Sequence, residues 1–186
     1  MEIKKFGTRS EVQSEVETQM EGGIVKPKIL PEVIENFLND RIGDEYTAHY
    51  FYRNAANWCK NMNYKKAATF FEAEAISELE HAKGLQDYLT QWNLLPVIPQ
   101  APTTKSFNGL VDIVGLAYEM EYVLFEKYSD GQKLSLNTHL ATFNFIQGYV
   151  DIQNGAIAEY SDLLNAITLV NHENKFEVLY FEQTYF

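Results

Sequence analysis

Glu78 and His81 stand three residues apart in FFEAEAISELEHA, a segment rich in strong helix formers. On a helix this spacing places a carboxylate and an imidazole side by side on one face, where both can bind the same metal ion. The pattern is short and arises by chance on acidic helices, so alone it equally describes a solvated surface pair. A metal site is favoured over a surface pair only if other segments bring further ligands to the same point.

Three further polar residues fall on apolar stripes of other helical segments: Glu45, Glu121 and Gln153. Glu45 shares its face with Tyr52, and Glu121 lies one turn after Ala117. Burying several unpaired carboxylates together would cost several kcal/mol each, and their mutual repulsion would add to that cost. A bound pair of divalent cations removes the cost, so the sequence predicts a two-metal site inside a helical core.

Helical periodicity predicts four long helices, at residues 31–60, 64–92, 107–134 and 138–170. Pro31 suits a first helical turn, and Thr138 is the predicted N-cap of the fourth helix after a break at SLN. Each helix is roughly 40 Å long at a rise of about 1.5 Å per residue. A shorter fifth helix is predicted in KFEVLYFEQTYF, residues 175–186.

The segment between the second and third helices contains three prolines, which block helix formation. Its length of about 14 residues reaches roughly 46 Å when extended, enough to run the full length of a bundle. We therefore predict an all-α fold: two antiparallel hairpins joined by one long crossover, with a short C-terminal helix. Residues 1–28 are predicted to be an extension, and residues 29–186 the folded domain.

The composition narrows the classes of function. A formal charge of −11 over 186 residues works against binding to nucleic acid or to anionic membranes. Hydrophobic runs are too short to span a bilayer, and the N-terminal residues resemble neither a secretory signal nor a transit peptide, so a cytoplasmic location is expected. The single cysteine, Cys59, can form neither an intrachain disulfide nor a zinc site by itself.

Over residues 30 to 186 the sequence resembles the non-haem ferritins. The resemblance rests on Glu45 with Tyr52, on the FFEAEAISELEHA segment, on Glu121 and on TFNFIQGYVDIQ. It implies a ferritin-like four-helix bundle that binds iron as a di-iron centre and assembles into a homo-oligomeric cage of 24 subunits.

The resemblance also implies a role for each site residue. Glu45 and His81 would bind one iron, Glu78 would bridge both, and Glu121 would bind the second. Gln153 resembles the glutamine at the second iron, and Tyr52 resembles the tyrosine beside the site, although an ordinary core aromatic is about equally expected there. The implied reaction is oxidation of Fe(II) by O2 or H2O2, followed by deposition of ferric mineral.

Some positions depart from relatives of this family. Leu79 follows Glu78 where haem-binding members have a methionine, so haem is not expected. A third iron site is doubtful, because the corresponding positions carry no acid: Ser77, Ile152, Gly155 and Ala156. Glu80 is a candidate for mineral nucleation, and His49 or Glu74 could be accessory groups, although surface or packing roles are favoured for all three.

The leading hypothesis is a ferroxidase subunit of an iron-storage cage. The alternative is a structural or metal-sequestering assembly protein with the same ligands and little catalytic turnover. A third reading is a di-metal oxidase of an organic substrate, which would need a substrate pocket beside the metals.

Overall fold

The computed structural model describes residues 30–186, which form five helices and contain no strand. We number the helices in chain order: α1 (Glu32–Asn61), α2 (Lys65–Gln91), α3 (Leu110–Thr138), α4 (Leu140–Ile167) and α5 (Lys175–Tyr185). The predicted all-α class and the short fifth helix are confirmed. The predicted N-terminal extension, residues 1–28, lies outside the described part of the chain.

The junction between α3 and α4 differs from the prediction. No break occurs at SLN; α3 continues to Thr138, and the extended backbone of His139 alone separates the two helices. Thr138 was therefore wrongly predicted as the N-cap, since its hydroxyl donates backward to the Leu134 carbonyl at 2.8 Å. The cap is His139, whose ring nitrogen accepts from the Thr142 amide. A hydroxyl that bonds backward to its own helix is not available to cap the helix that follows.

Asparagines in the left-handed conformation end the first two helices. Asn63 has φ of 66° and Asn93 has φ of 60°. After α1, the Tyr64 amide donates to the Cys59 carbonyl at 2.9 Å, and the Asn63 amide donates to the Lys60 carbonyl at 3.1 Å. These two bonds form a Schellman motif, which satisfies the last carbonyls of the helix and turns the chain sharply. The short turn makes α1 and α2 an antiparallel hairpin.

The segment between α2 and α3 runs back along α1, as the crossover prediction requires. The Val97 amide donates to Asn39 Oδ1 at 2.8 Å near the beginning of α1. Further along, Asn54 Nδ2 donates to the Lys105 carbonyl at 2.5 Å. Since Asn39 and Asn54 are separated by four turns of helix, the segment returns the chain to the opposite end of the bundle. The helix α3 then begins there and runs antiparallel to α1.

The bundle core consists of two apolar clusters. One includes Tyr52, Phe71 and Tyr160, and the other includes Ile42, Leu85 and Tyr128. Buried carboxylates on three of the helices belong to neither cluster: Glu45, Glu78 and Glu121. The inner faces of α1, α2 and α3 are therefore apolar along most of their length, and each is interrupted by one of these acids. Within residues 30–186, no helix combines the length and the apolar character that a membrane span requires.

A glycine on α3 allows close packing against α1. A Cβ atom at Gly131 would overlap the ring of Phe37. The Gly131 position lies one turn after Tyr128, so this close approach fixes α1 against α3 beside the polar layer. Glycine weakens a helix interior on its own, and here the contact requires it.

The short α5 is attached to the bundle through a buried carboxylate. Glu182 is fully buried, and its Oε1 accepts from the backbone amides of Lys66 at 2.7 Å and Ala67 at 3.1 Å. The helix α2 has no side-chain cap of its own and no acid in its first turn. A carboxylate from α5 therefore satisfies the amides at the α2 N-terminus and complements the helix dipole there.

Candidate metal centre

A layer of polar side chains crosses the middle of the bundle, and each long helix contributes to it. Glu45 comes from α1, Glu78 from α2, Glu121 from α3 and Gln153 from α4, and all four are at most 4% exposed. Each lies on the inward stripe of its helix, which is the arrangement that the sequence predicted. Polar groups in such an interior are tolerated only when they are paired or bind cations.

Glu45, Glu78 and His81 form the tightest part of this layer. One ligand atom of each residue lies within 4.8 Å of a ligand atom of each of the other two. Within residues 30–186, no other set of three or more Asp, Glu, His or Cys side chains brings its ligand atoms this close together. His81 Nδ1 lies 3.0 Å from Glu78 Oε2 and 3.7 Å from Glu45 Oε2. The His81 side chain is 17% exposed, so the group is reached from one side of the bundle.

The two oxygens of Glu45 have different environments. Oε1 accepts a hydrogen bond from the Tyr128 hydroxyl. Oε2 is buried and has no hydrogen-bond donor. A buried carboxylate oxygen that accepts no hydrogen bond is costly, because it has lost its bonds to water and has no hydrogen bond in exchange. It faces Glu78 and His81, so a cation between the three residues would supply the missing interaction.

Glu121 is held by neutral donors on both oxygens. The Tyr52 hydroxyl donates to Oε1. With the Gln153 amide oriented to satisfy its neighbours, the nitrogen donates to Glu121 Oε2 at 2.7 Å and to the Glu121 carbonyl at 3.2 Å. Glu121 is not part of the tight group formed by Glu45, Glu78 and His81. The second half of the layer is thus organised by hydrogen bonds between side chains.

Proton equilibria in the layer reflect the crowding of its acids. Burial raises the pKa of Glu121 to about 7, although the Tyr52 hydrogen bond partly opposes the shift. Burial also raises the pKa of Glu78, and repulsion from Glu45 adds to the effect. Burial alone would lower the pKa of His81, but the neighbouring carboxylates of Glu45 and Glu78 favour the charged imidazolium and raise it to about 10. Protons thus compensate the negative charge of the metal-free site.

All six residues singled out by the sequence meet in one layer, although their chemical roles stay predictions. A seventh residue, Tyr128, was missed. It follows Glu121 by seven residues, as Tyr52 follows Glu45, so the repeated Glu-Tyr interval was the signal available in the sequence. Glu74 was favoured as a surface acid, yet it is half-buried, and burial with repulsion from Glu159 raises its pKa to about 7.

The remaining accessory candidates lie outside the tight group. His49 is half-buried and donates to the Ala75 carbonyl at 2.5 Å, so it links α1 to α2. Glu80 is exposed. At one position considered for a third iron, the Ser77 hydroxyl lies 3.4 Å from His81 Nε2. This contact orients the imidazole and adds no acidic ligand.

The fold and the polar layer define a helical-bundle protein with a buried, carboxylate-rich centre that could hold a metal ion. Residues 35–170 match the family model described as Ferritin-like domain, so the chain belongs to the ferritin family. The predicted family is confirmed. The match covers most of α1 and all of α2 to α4, and it includes every residue of the candidate centre.

Individual relatives agree with this assignment. The chain is 28% identical to the bacterial non-haem ferritin of Escherichia coli over 153 residues, covering 81% of this chain and 91% of that protein. It is 26% identical over 151 residues to a probable bacterial non-haem ferritin-like protein of Haemophilus influenzae, covering 79% and 90%. The fold is similar to that of an open pore ferritin from Archaeoglobus fulgidus, with a TM-score of 0.78, 20% identity and coverage of 84% and 96%.

Proposed function

We propose that this protein is a subunit of an iron-storage ferritin that binds Fe(II) in the polar layer and oxidises it. The observation that carries the proposal is the buried, unpartnered Oε2 of Glu45, which faces Glu78 and lies 3.7 Å from His81 Nδ1. Imidazole together with carboxylate oxygens suits Fe(II). The names of the relatives, bacterial non-haem ferritins, support the same ion.

In this proposal Glu45 and His81 bind the first iron, Glu78 bridges and Glu121 binds the second. Gln153 and Tyr52 already contact Glu121, so they would orient the ligand of the second iron. His81 must release its proton before it can bind a cation, because a protonated imidazole has no free lone pair. Iron binding therefore replaces the protons that compensate the metal-free layer.

The proposed reaction takes one electron from each of two Fe(II) ions and gives both electrons to O2 or to H2O2. With O2 the reduced product is H2O2, and with H2O2 it is water. Hydrolysis of the ferric ions then releases protons and yields ferric oxyhydroxide. Glu74 lies near the layer, and its pKa of about 7 suits a group that accepts such a proton and passes it toward solvent.

The proposal includes assembly into a homo-oligomeric cage, of 24 subunits by the family resemblance, in the cytoplasm. Such a cage would enclose the mineral. The eleven residues of α5 and the exposed side chains of Phe176 and Tyr180 are available for contacts between subunits. Sedimentation velocity of the purified chain measures the assembly, and a monomer at micromolar concentration would contradict this part of the proposal.

One observation favours a second candidate, a metal-sequestering assembly protein with little turnover. Both oxygens of Glu121 already accept hydrogen bonds, so Glu121 gains less from binding a cation than the unpartnered oxygen of Glu45 does. If the second iron therefore binds weakly, one iron binds at Glu45, Glu78 and His81 and no pair forms. Paired oxidation would then be slow.

Aerobic addition of Fe(II) to the metal-free protein distinguishes the two candidates. A ferroxidase oxidises two Fe(II) ions per chain much faster than buffer does and consumes about one O2 per pair when H2O2 is the product. Stopped-flow absorbance and an oxygen electrode measure both quantities. Binding of one Fe(II) per chain with oxidation at the buffer rate would favour sequestration, and absence of binding would contradict both candidates.

A further inference from the structure

Two tyrosines are arranged reciprocally across the polar layer. Tyr52 on α1 donates to Glu121 on α3, and Tyr128 on α3 donates to Glu45 on α1. Each tyrosine follows the glutamate of its own helix by seven residues, and the two helices run antiparallel. All four side chains are at most 1% exposed. The interval of two helical turns places each hydroxyl beside the carboxylate of the opposite helix.

The Tyr128 hydroxyl determines which oxygen of Glu45 is free. Its hydrogen bond engages Oε1, and Oε2 is left without a donor on the side of Glu78 and His81. A carboxylate with one oxygen fixed cannot rotate freely and offers a single oxygen to a cation. Preorganisation of this kind reduces the entropy lost when a ligand is bound.

Tyr128 is itself held in place by a neighbour that contacts the site. Its ring stacks on Tyr149 with centroids 5.1 Å apart and planes inclined by 22°. The Tyr149 hydroxyl donates to the His81 carbonyl at 3.0 Å. A series of contacts thus leads from Glu45 through Tyr128 and Tyr149 to the backbone of His81. The orientation of Glu45 is therefore tied to the helix turn that carries His81.

We propose that Tyr128 is a positioning residue for the metal subsite at Glu45, in the same way that Tyr52 positions Glu121 on the opposite side of the layer. The inference rests on the proposed function, in which these carboxylates bind iron. Tyr128 needs no direct contact with the metal to act. It holds Glu45 so that Oε2 points at the cation and Oε1 does not.

Cobalt(II) is a suitable probe, because it takes the same ligand types as Fe(II), is not oxidised under these conditions and absorbs visible light. Anaerobic titration of the metal-free full-length chain gives the number of sites and the affinity of each. We expect two sites in the unmodified protein. In Tyr128→Phe, the affinity of one site should fall about tenfold or more while the other is unchanged, as is typical for loss of an outer hydrogen-bond partner of a ligand.

A matched control is Tyr88→Phe, which removes another buried hydroxyl from the same apolar cluster. The Tyr88 hydroxyl bonds to Thr142, and its ring packs against Trp92 and Phe145, none of which is a proposed ligand. Its titration should equal that of the unmodified protein. Tyr52→Phe should weaken the other of the two sites, and the double variant should weaken both.

Equal titrations for Tyr128→Phe and Tyr88→Phe would overturn the inference. Equal weakening of both sites with unchanged helical circular dichroism would also overturn it, since Tyr128 would then act on the whole layer and not on the Glu45 subsite. Failure of the unmodified protein to bind cobalt would instead defeat the proposed function itself.

If Tyr128→Phe does not fold, the Tyr52→Phe variant provides a second test. Addition of Zn(II) should perturb its tyrosine ultraviolet absorption, because Tyr128 remains bonded to a ligand. The perturbation should disappear when Glu45→Gln is added. A Zn(II)-induced signal that is unchanged by Glu45→Gln would contradict the inference.

Discussion

Glu45 Oε2 on α1 lies 3.7 Å from His81 Nδ1 on α2, and no hydrogen bond reaches that oxygen. The pair links α1 to α2 inside the polar layer. Glu78 approaches the same imidazole more closely, at 3.0 Å. In the metal-free protein a proton on His81 compensates both carboxylates, so metal ions and protons compete for one position.

Metal affinity should therefore rise with pH. The pKa of His81 is raised from 6.5 to about 10, so the free site carries this proton at neutral pH and must release it. Affinity should increase about tenfold per pH unit for each proton displaced, between about pH 6 and about pH 8. Cobalt titrations across this range measure the slope, and His81→Ala should reduce it. A slope of zero in the unmodified protein would contradict the assignment of His81.

Stability of the metal-free protein should change with pH in the opposite direction. The pKa of Glu121 is raised from 4.5 to about 7, so the folded state holds this proton more tightly than the unfolded state does. Its contribution to stability is present below about pH 4.5 and is lost as pH rises through about 7. Urea unfolding of the metal-free protein measures this change. Glu121→Gln should remove part of the dependence, whereas an unaltered dependence in that variant would contradict the burial argument.

Substitution of the ligands should stop rapid oxidation without unfolding the bundle. Glu45→Ala or His81→Ala removes a donor from the tight group. We expect initial Fe(II) oxidation rates to fall by more than about 100-fold, since even loss of an outer partner costs up to about that factor. Glu126→Gln, an exposed acid on α3, is the control and should oxidise at the normal rate. Normal rates in both ligand variants would defeat the site assignment.

The attachment of α5 can be tested through Glu182. Glu182→Ala leaves the amides of Lys66 and Ala67 without their acceptor. The free energy of unfolding should fall by about 1–2 kcal/mol, the usual range for a lost helix cap. Thr184→Ala, which removes an exposed hydroxyl from the same helix, should have a much smaller effect. Equal effects of the two substitutions in urea unfolding would show that the cap contributes nothing specific.

The sequence predicted much of this architecture because its periodic patterns are long. Residues 31–60 and 64–92 were predicted to be helices and agree with α1 and α2 to within one residue at each end. The crossover followed from the three prolines and from the length of the segment. The carboxylates were found because acids on an apolar helical stripe are unusual.

Other features depend on three-dimensional contacts that periodicity does not encode. The α3–α4 junction is set by one extended residue, His139, which no proline or glycine marks. Tyr128 is one of twelve tyrosines, and only its partner on α1 distinguishes it from the others. Glu182 caps a helix more than a hundred residues earlier in the chain, so its burial follows from the docking of α5.

The most direct test of the central claim is the anomalous diffraction of a crystal soaked anaerobically in Fe(II). The account predicts two iron peaks on either side of Glu78, roughly 3.5–4 Å apart as in other paired metal sites. One peak should contact Glu45 and His81, and the other should contact Glu121. Iron bound only at surface acids, with no peak beside Glu78, would contradict the account.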